Sequence, residues 1–307
     1  MITQDDIQAA HGRIAAHVRR TPVIEAAGAA FGLDHPVVLK LELLQHTGSF
    51  KPRGAFNNLI ARDVPAAGVV AASGGNHGAA VGYAAAELGI PARIFVPEIA
   101  GETKIALVRG TGAGLEVVPG HYGQAAAAAE AARQASGAMT IHAYDAPETL
   151  AGQGTVGLEF EEQAPDLDIL LVAVGGGGLI GGIASWYDGR VRVVAVEPEG
   201  APTLATALRD GPDAEITPSG VAANSLGGPK IGRLAYDVVT RLGIECVLVP
   251  DAAIAEAQRQ LWLGTRVLAE PGGAAALAAL TSGRFAPPPG ARVGVLVCGG
   301  NVDPAPV

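Results

Sequence analysis

Lys51 is the side chain in this sequence whose type and surroundings best suit an amine nucleophile. The chain of 307 residues contains only four lysines, which are Lys40, Lys51, Lys104 and Lys230. Lys51 lies between Phe50 and Pro52, directly before a predicted helix and in a chain rich in small apolar residues. Burial beside an aromatic ring would lower the pKa of its ammonium group, and Schiff-base chemistry requires the neutral amine. The other three lysines lie in a predicted strand, at the start of a helix and in a turn, and they carry no such signal.

A glycine-rich turn between a predicted strand and a predicted helix could bind a phosphate. It contains Gly175, Gly176, Gly177 and Gly178, and glycines allow backbone N–H groups to converge on an anion at a helix N-terminus. The turn also satisfies the pattern G-x-G-x-x-G, with Glu197 at the end of the next predicted strand, as in dinucleotide-binding folds. Taken alone, the segment therefore also fits the cofactor site of a nicotinamide-dependent oxidoreductase. A third interpretation is that the glycines serve only to let the strand and the helix pack closely.

Two further glycine-rich turns follow predicted strands. In residues 71–78, backbone N–H groups and Ser73 could bind a carboxylate while Asn76 holds a second polar group. A helix cap formed by Ser73 or Asn76 is the alternative. In residues 297–303, the thiol of Cys298 lies at the carboxyl end of a predicted strand, the edge where α/β proteins bind ligands. A small buried residue explains Cys298 equally well on local grounds.

The elements that must position these turns are continuous apolar runs alternating with Ala-rich segments. The predicted strands are residues 37–41, 68–72, 93–96, 115–118, 140–142, 169–174, 191–197 and 292–298. Segments such as 78–88, 122–135 and 254–269 favour helices. Strands that are buried on both faces and separated by helices are typical of parallel sheets. The predicted fold class is therefore α/β.

Composition excludes several classes of protein. Apolar residues make up 49% of the chain and charged residues 17%, which is too apolar for a disordered protein. A net charge of −9 without a basic block argues against nucleic-acid binding and against an anionic membrane surface. Two cysteines are too few for a disulfide framework or a zinc site. No signal peptide is recognisable, and the glycines within the apolar residues 169–187 argue against a membrane span. We therefore expect a soluble, cytoplasmic protein.

Five motifs, in the same order along the chain, resemble the serine/threonine dehydratase group of fold-type II pyridoxal-phosphate enzymes, which also contains serine racemase. They are GSFKPRG at 48–54, SGGNHG at 73–78, GGGG at 175–178, EPGGA at 270–274 and CGGN at 298–301. The resemblance implies two open parallel-sheet domains of the tryptophan synthase β-like type. It implies a large cofactor-binding domain of residues 1–50 with 146–307, a small mobile domain of residues 51–145 that carries the Asn76 loop, and a homodimer.

The same resemblance implies roles for individual residues. Lys51 would bind pyridoxal 5′-phosphate as a Schiff base and, once released, remove the Cα proton of an amino-acid substrate. The implied cofactor-binding residues are Phe50, Lys51, Asn76, Gly175, Gly176, Gly177, Gly178, Gly220, Glu270 and Cys298. The implied substrate-binding residues are Ser73, Gly74, Asn76 and His77. The implied reaction is α,β-elimination from a β-hydroxy amino acid such as L-threonine or L-serine, which yields a 2-keto acid and ammonia.

The chain departs from the pattern of this group at several positions. Gly74 stands where the racemases carry a serine that serves as a second base, so we expect little racemisation. The group's site for Mg or Ca would correspond to Glu197 and the Ala201 carbonyl, but Thr203 replaces its second acid, which puts the metal in doubt. Tyr144 stands where several relatives have another polar residue, so the substrate side chain stays open. Serine racemase and 3-hydroxyaspartate dehydratase activities therefore remain alternatives.

Overall fold

The computed structural model, which describes residues 2–73 and 75–302, is built from alternating strands and helices. Its strands are β1 (Val23–Ala26), β2 (Val37–Lys40), β3 (Val69–Ala72), β4 (Ala92–Pro97), β5 (Gly114–Val118), β6 (Met139–Thr140), β7 (Ile169–Ala173), β8 (Arg192–Pro198), β9 (Cys246–Val249) and β10 (Val293–Leu296). Its helices are α1 (Gln4–Ile14), α2 (Lys51–Ala61), α3 (Asn76–Glu87), α4 (Glu102–Arg109), α5 (Tyr122–Ser136), α6 (Pro147–Gln163), α7 (Gly178–Tyr187), α8 (Thr203–Asp210), α9 (Ala223–Leu226), α10 (Arg233–Leu242), α11 (Asp251–Thr265) and α12 (Pro271–Thr281).

The strands form two sheets. Six strands in the order β1-β2-β10-β7-β8-β9 form the first sheet, and four strands in the order β5-β4-β3-β6 form the second. Neighbouring strands are parallel in both sheets except for β1, which pairs antiparallel with β2. The predicted α/β class with two open, largely parallel sheets is confirmed.

Two edge strands of the first sheet, β1 and β9, were missing from the sequence prediction. Only one of the four residues of β1 is buried, and the strand contains the exposed Glu25. In β9, half-buried residues alternate with buried ones. Edge strands are covered less completely than central ones. The polar Glu25 interrupts β1, and the apolar run of β9 is only four residues long.

Each sheet has a hydrophobic core of its own. Strands β2, β7 and β10 are buried at every position, which explains why their sequences are apolar throughout, except for the buried Lys40 at the end of β2. Helix α12 covers this sheet and is buried from Gly272 to Leu280. Helix α3 covers the second sheet with small side chains, of which Ala79, Ala80, Ala84 and Ala85 are fully buried. Small residues therefore allow these helices to lie close to the sheets.

Helix α2 connects the two halves of the molecule, since it packs against both α6 and α3. In its first turn the guanidinium group of Arg53, which is fully buried, donates to the carboxylates of Glu42 and Glu159 at 2.8 Å. The buried Lys40 Nζ also donates to Glu159, at 3.0 Å. Two cations and two anions thus fix the turn of α2 that carries Lys51.

The strands of the two sheets come from different parts of the chain. The second sheet uses strands between residues 69 and 140, all within the segment 51–145 predicted as the small domain. The first sheet uses strands between residues 23 and 40 and between 169 and 296. The domain boundaries at residues 50 and 145, and the mobility of the small domain, remain predictions.

The apolar stretch of residues 169–187 forms strand β7, the glycine turn and helix α7. Gly177 in this turn has φ +91°, a backbone conformation that favours glycine. Within the part of the chain that the structure describes, no helix combines the length and the apolar character needed to cross a membrane.

Candidate active site

Lys51 begins α2, and its Nζ donates a hydrogen bond to the carbonyl oxygen of Ala143 at 2.9 Å. The ring centroid of Phe50 is 5.0 Å from the same Nζ. Burial of the ammonium group lowers the pKa of Lys51 from 10.5 to about 8, against smaller opposing effects of Cys298 and Glu270. A large fraction of Lys51 is therefore neutral near pH 8, which a nucleophilic or basic amine requires.

Backbone hydrogen bonds hold the segment before α2 against the segment that follows β10. The Phe50 N–H donates to the carbonyl oxygen of Cys298 at 3.1 Å, and the Gly300 N–H donates to that of Gly48 at 2.9 Å. These bonds join parts of the chain that lie at opposite ends of the sequence. They explain why Lys51 and the Cys298 thiol share one cavity.

That narrow cavity, of about 50 Å³, is called the inner cavity here. It lies at the carboxyl ends of the first sheet's strands, next to the tetraglycine turn, as expected of a ligand site in an α/β fold. Of the predicted cofactor-binding residues, its walls include Phe50, Lys51, Asn76, Gly175, Gly176, Gly177, Gly178, Glu270 and Cys298. Residues from both ends of the chain and from both sheets therefore meet in one cavity.

Gly220 is the one predicted cofactor-binding residue that the structure does not bring to the inner cavity. It has φ +81°, and a Cβ atom at this position would lie 2.5 Å from a carboxylate oxygen of Asp251. The same carboxylate accepts a hydrogen bond from the Val221 N–H at 3.0 Å. The backbone conformation and this close approach account for a glycine here.

The tetraglycine turn presents backbone donors at the start of α7. Over residues 2–73 and 75–302, the N–H groups of Gly175, Gly176 and Gly177 donate to no backbone or side-chain acceptor. Helix α7 begins at Gly178, so its dipole adds partial positive charge at the same place. A Cβ atom on Gly178 would lie 2.8 Å from the Cα and the carbonyl oxygen of Tyr144. The turn is therefore an anion cradle that packs too closely for side chains.

Asn76 is held between two partners on the wall of the inner cavity. Its Nδ2 donates to Glu270 Oε1 at 2.5 Å, and its Oδ1 accepts from Asn301 Nδ2 at 2.8 Å. Burial raises the pKa of Glu270 to about 7, although the Asn76 amide favours its ionised form. These two contacts fix the orientation of the Asn76 amide.

The Cys298 thiol is a neutral group. Its Sγ donates to the carbonyl oxygen of Gly272 at 3.3 Å. Burial raises the pKa of Cys298 to about 12, so the thiolate is not formed at physiological pH. The inner cavity thus has an uncharged sulfur group in the same wall lining as the tetraglycine turn.

A wider cavity of about 240 Å³, called the outer cavity here, adjoins the inner one. Three of the predicted substrate-binding residues, Ser73, Asn76 and His77, line it together with Lys51. The His77 ring Nε2 lies 3.0 Å from the carbonyl oxygen of Ile141, and burial lowers the pKa of His77 to about 3. His77 is therefore a neutral imidazole. The fourth predicted substrate-binding residue, Gly74, lies outside the described residues.

Residues 14–299 match the family described as pyridoxal-phosphate dependent enzyme. The chain belongs to this family. An L-threonine ammonia-lyase of Geobacter sulfurreducens is 37% identical over 97% of this chain and 75% of its own length. A phenylserine dehydratase of Ralstonia pickettii is 37% identical over 99% of this chain and 95% of its own. The solved structure of maize serine racemase has a TM-score of 0.92 at 34% identity and covers 99% of this chain and 94% of that one.

The chemical groups that line the inner cavity match the phosphate, the aldehyde and the ring nitrogen of pyridoxal phosphate. The unpaired N–H groups of the tetraglycine turn suit a phosphate, and the enclosed Lys51 amine suits an aldehyde. The neutral Cys298 thiol suits an uncharged ring nitrogen. Membership of a pyridoxal-phosphate family decides against the nicotinamide-dependent oxidoreductase that the G-x-G-x-x-G pattern also allowed.

The donor set at Glu197 does not fit Mg or Ca. Its Oε1 accepts from the Leu204 N–H at 2.7 Å, and its Oε2 accepts from the Ala205 N–H at 2.9 Å. The carboxylate therefore faces the N-terminus of α8, which satisfies both of its oxygens. Ala201 is a buried alanine that offers only its backbone, and within the described residues no group of three His, Cys, Asp or Glu side chains could hold a metal ion.

Lys104 is a residue of this region that the sequence interpretation passed over. Its position at the start of a predicted helix gave no signal, because its surroundings depend on the packing of two distant loops. In the structure its Nζ donates to the carbonyl oxygen of Asn224 at 2.6 Å. Asn224 and Gly75, which Lys104 also approaches, both line the outer cavity.

Gly178→Ala should weaken cofactor binding by at least about tenfold and destabilise the protein by about 1–3 kcal/mol, because the new methyl group meets the Tyr144 backbone. Titration of the cofactor-free protein with pyridoxal phosphate, together with urea unfolding, measures both effects. The matched control is Gly12→Ala in α1, where a Cβ atom meets nothing within 4 Å. An unchanged cofactor affinity in Gly178→Ala would show that the turn is not the phosphate cradle.

The rate at which the cofactor becomes covalently attached should rise with pH up to about 8 and then level off. Only the neutral amine attacks an aldehyde, and the lowered pKa of Lys51 means that it is half neutral at about pH 8. Stopped-flow absorbance of the cofactor-free protein mixed with pyridoxal phosphate measures this profile. A midpoint near the ordinary lysine value of 10.5 would show that Lys51 is solvated in the cofactor-free protein.

Proposed function

We propose that the protein is a pyridoxal-phosphate-dependent ammonia-lyase that converts a β-hydroxy amino acid, such as L-threonine or L-serine, into a 2-keto acid and ammonia. The observation that carries the proposal is the position of Lys51, which lines both cavities. Lys51 shares the inner cavity with the tetraglycine turn and the outer cavity with Ser73 and His77. The similarity to an L-threonine ammonia-lyase and a phenylserine dehydratase supports this reaction class.

The residues of the inner cavity would hold the cofactor in a defined orientation. Lys51 would bind its aldehyde carbon, the tetraglycine N–H groups its phosphate, Asn76 its ring oxygen and Cys298 its ring nitrogen. Bound pyridoxal phosphate supplies an electron sink that makes the Cα proton of an attached amino acid acidic. Because the Cys298 thiol stays neutral, it does not draw the developing charge onto the ring nitrogen, which favours elimination over transamination.

Lys51 is the proposed general base. Its Nζ would accept the Cα proton of the bound substrate. A pKa of about 8 is close to physiological pH, which combines a useful neutral fraction with adequate basicity. No second lysine lines either cavity in the described part of the chain, so this role falls to Lys51.

The proposed substrate site is the loop before α3. Ser73 Oγ accepts from the Gly75 N–H at 3.1 Å, which shapes the loop at the N-terminus of α3. Backbone N–H groups at this helix end suit the α-carboxylate of an amino acid. Gly74 belongs to the same proposed site through its motif.

Serine racemase is the second candidate function, because a solved serine racemase matches 99% of this chain at a TM-score of 0.92. Racemisation needs a base on each face of Cα, and Gly74 supplies no side chain for the second face. Incubation with L-serine followed by chiral chromatography separates the two functions. Pyruvate with little D-serine is expected, and D-serine in amounts comparable to pyruvate would favour the racemase.

A cytoplasmic homodimer is also part of the proposal. It rests on the resemblance of the five motifs to a group of homodimeric enzymes. Light scattering of the purified protein during gel filtration should give twice the mass of one 30.8 kDa chain. A single-chain mass at micromolar concentration would contradict it.

A panel of β-hydroxy amino acids tests the proposed reaction. It contains L-threonine, L-serine, the isomers of 3-hydroxyaspartate and 3-phenylserine, each assayed for ammonia and for keto acid. We expect equal amounts of ammonia and keto acid from at least one of them, with kcat on the order of 1–1,000 s⁻¹. Release of neither product from any member by protein with bound cofactor would contradict the proposal.

A further inference from the structure

We propose that Lys104, which lies next to two residues of the outer cavity's wall, is the cationic group that binds the α-carboxylate of the substrate. This inference rests on the proposed function, because it assumes that an amino acid occupies that cavity. Lys104 lies in the first turn of α4, and its Nζ donates to the carbonyl oxygen of Asn224 at 2.6 Å. A Cβ atom placed on Gly75 would lie 3.3 Å from the same Nζ. The ammonium group thus lies between two residues that line the outer cavity.

Within the described part of the chain, Lys104 and Lys51 lack a salt bridge to a carboxylate, whereas the other two lysines each have one. Lys40 pairs with Glu159 at 3.0 Å, and Lys230 pairs with Asp213 at 2.6 Å. The salt bridges of residues 2–73 and 75–302 include none to Lys104, although Glu270 is near enough to raise its pKa slightly. An ammonium group has three N–H donors, and the structure shows an acceptor for one of them. The remaining donors are available to a ligand.

The ammonium group of Lys104 is partly buried, and no salt-bridged carboxylate among the described residues compensates for its lost hydration. Desolvation lowers the pKa of Lys104, which means that burial disfavours its charged form. A carboxylate within hydrogen-bond distance would reverse this cost and would form a charge-assisted hydrogen bond. The chemical class of ligand that fits Lys104 is therefore a carboxylate.

The neighbouring loop identifies which carboxylate of the substrate this is. Gly75 directly precedes α3, whose N-terminal N–H groups also favour an anion. Lys104 and this helix end approach the loop from different elements, so both can contact one carboxylate. Lys51, which lines the outer cavity itself, is the partner for the substrate amine. The two lysines would thus bind the two ends of an amino acid.

Ligand binding tests the proposal without requiring turnover. Glycine and glycinamide differ in the α-carboxylate and lack the leaving group, and each is titrated into the cofactor-loaded protein while the cofactor absorbance is followed. Lys104→Met should weaken glycine binding by about 10- to 100-fold and should change glycinamide binding by less than about twofold. Lys104→Arg should restore part of the glycine affinity. The matched control is Lys230→Met, which should bind both ligands like the wild type, since Lys230 pairs on the surface with Asp213.

Aspartate is the third ligand, because it adds a side-chain carboxylate. Weaker aspartate binding in Lys104→Met with glycine binding unchanged would overturn the α-carboxylate assignment and place the side-chain carboxylate at Lys104. Equal loss of glycine and glycinamide binding would also overturn it, because a structural defect affects both ligands. Lys104→Gln is a second variant, and an unchanged cofactor spectrum shows that each variant is folded. If glycine binding depends on Lys104 while no β-hydroxy amino acid releases ammonia, the proposed function fails and the carboxylate assignment stands.

Discussion

Lys51→Ala is expected to lower kcat for ammonia release by about 10⁴-fold or more while leaving the fold intact. Two contributions are lost together, which are the covalent attachment of the cofactor and the base that removes the Cα proton. The fold should survive because the Lys51 ammonium makes one hydrogen bond, to Ala143, and its lowered pKa shows that its charge is disfavoured there. Ammonia release under saturating substrate and circular dichroism of the same preparation measure the two effects.

Two further variants distinguish the loss of the Lys51 amine from the loss of a positive charge. Lys51→Arg keeps a cation at this position but offers no neutral amine, so it should be as inactive as Lys51→Ala. Lys230→Ala removes a surface lysine that pairs with Asp213 and should retain full activity. Activity in Lys51→Ala above one-hundredth of the wild type would mean that another group acts as the base.

Arg53→Met is expected to lower the free energy of unfolding by about 3–5 kcal/mol. The Arg53 guanidinium donates to both oxygens of Glu42 and to both oxygens of Glu159, each at 2.8 Å. Arg53 is fully buried, and so is Glu42. Removing Arg53 therefore leaves buried negative charge with only Lys40 to balance it. Urea unfolding followed by fluorescence gives the change in free energy.

The matched control for this variant is Arg259→Met, which breaks an exposed pair with Glu256 and should leave the urea midpoint unchanged. Arg53→Lys should be intermediate, since it keeps the charge but cannot form two bidentate contacts. A urea midpoint in Arg53→Met equal to that of the wild type would show that the buried cluster contributes nothing net to stability. Since Lys51 begins the same helical turn, we also expect Arg53→Met to lose part of its cofactor affinity.

Much of the fold was predictable because the central strands of parallel sheets are buried on both faces. Strand β7 and strand β10 are buried at every position, and their apolar runs are visible in the sequence. The edge strand β1 was not predictable on this criterion, since most of its residues are partly exposed. The two sheets were expected from the motifs, whereas the pairing order of their strands depends on contacts between distant residues.

The candidate site was predictable where a local motif carried the signal. Lys51, Asn76 and the tetraglycine turn were found through motifs, and the structure brings them to one cavity. Gly220 shows the limit of this approach, because a glycine required by a turn next to Asp251 looks the same in sequence as one that contacts a ligand. Lys104 shows the opposite limit, because its approach to Gly75 and Asn224 arises only when α4 lies beside α9 and the start of α3 in the fold.

The central claim is that the enclosed amine of Lys51 binds the cofactor, and chemical trapping tests it most directly. The cofactor-loaded protein is treated with sodium borohydride, which makes the link to a lysine permanent, and is then digested and analysed by tandem mass spectrometry. The four lysines, Lys40, Lys51, Lys104 and Lys230, lie far enough apart in the chain to give separate peptides. The account predicts the pyridoxyl-phosphate mass on Lys51 and on no other lysine. The same mass on Lys40, Lys104 or Lys230, or on none of the four, would contradict it.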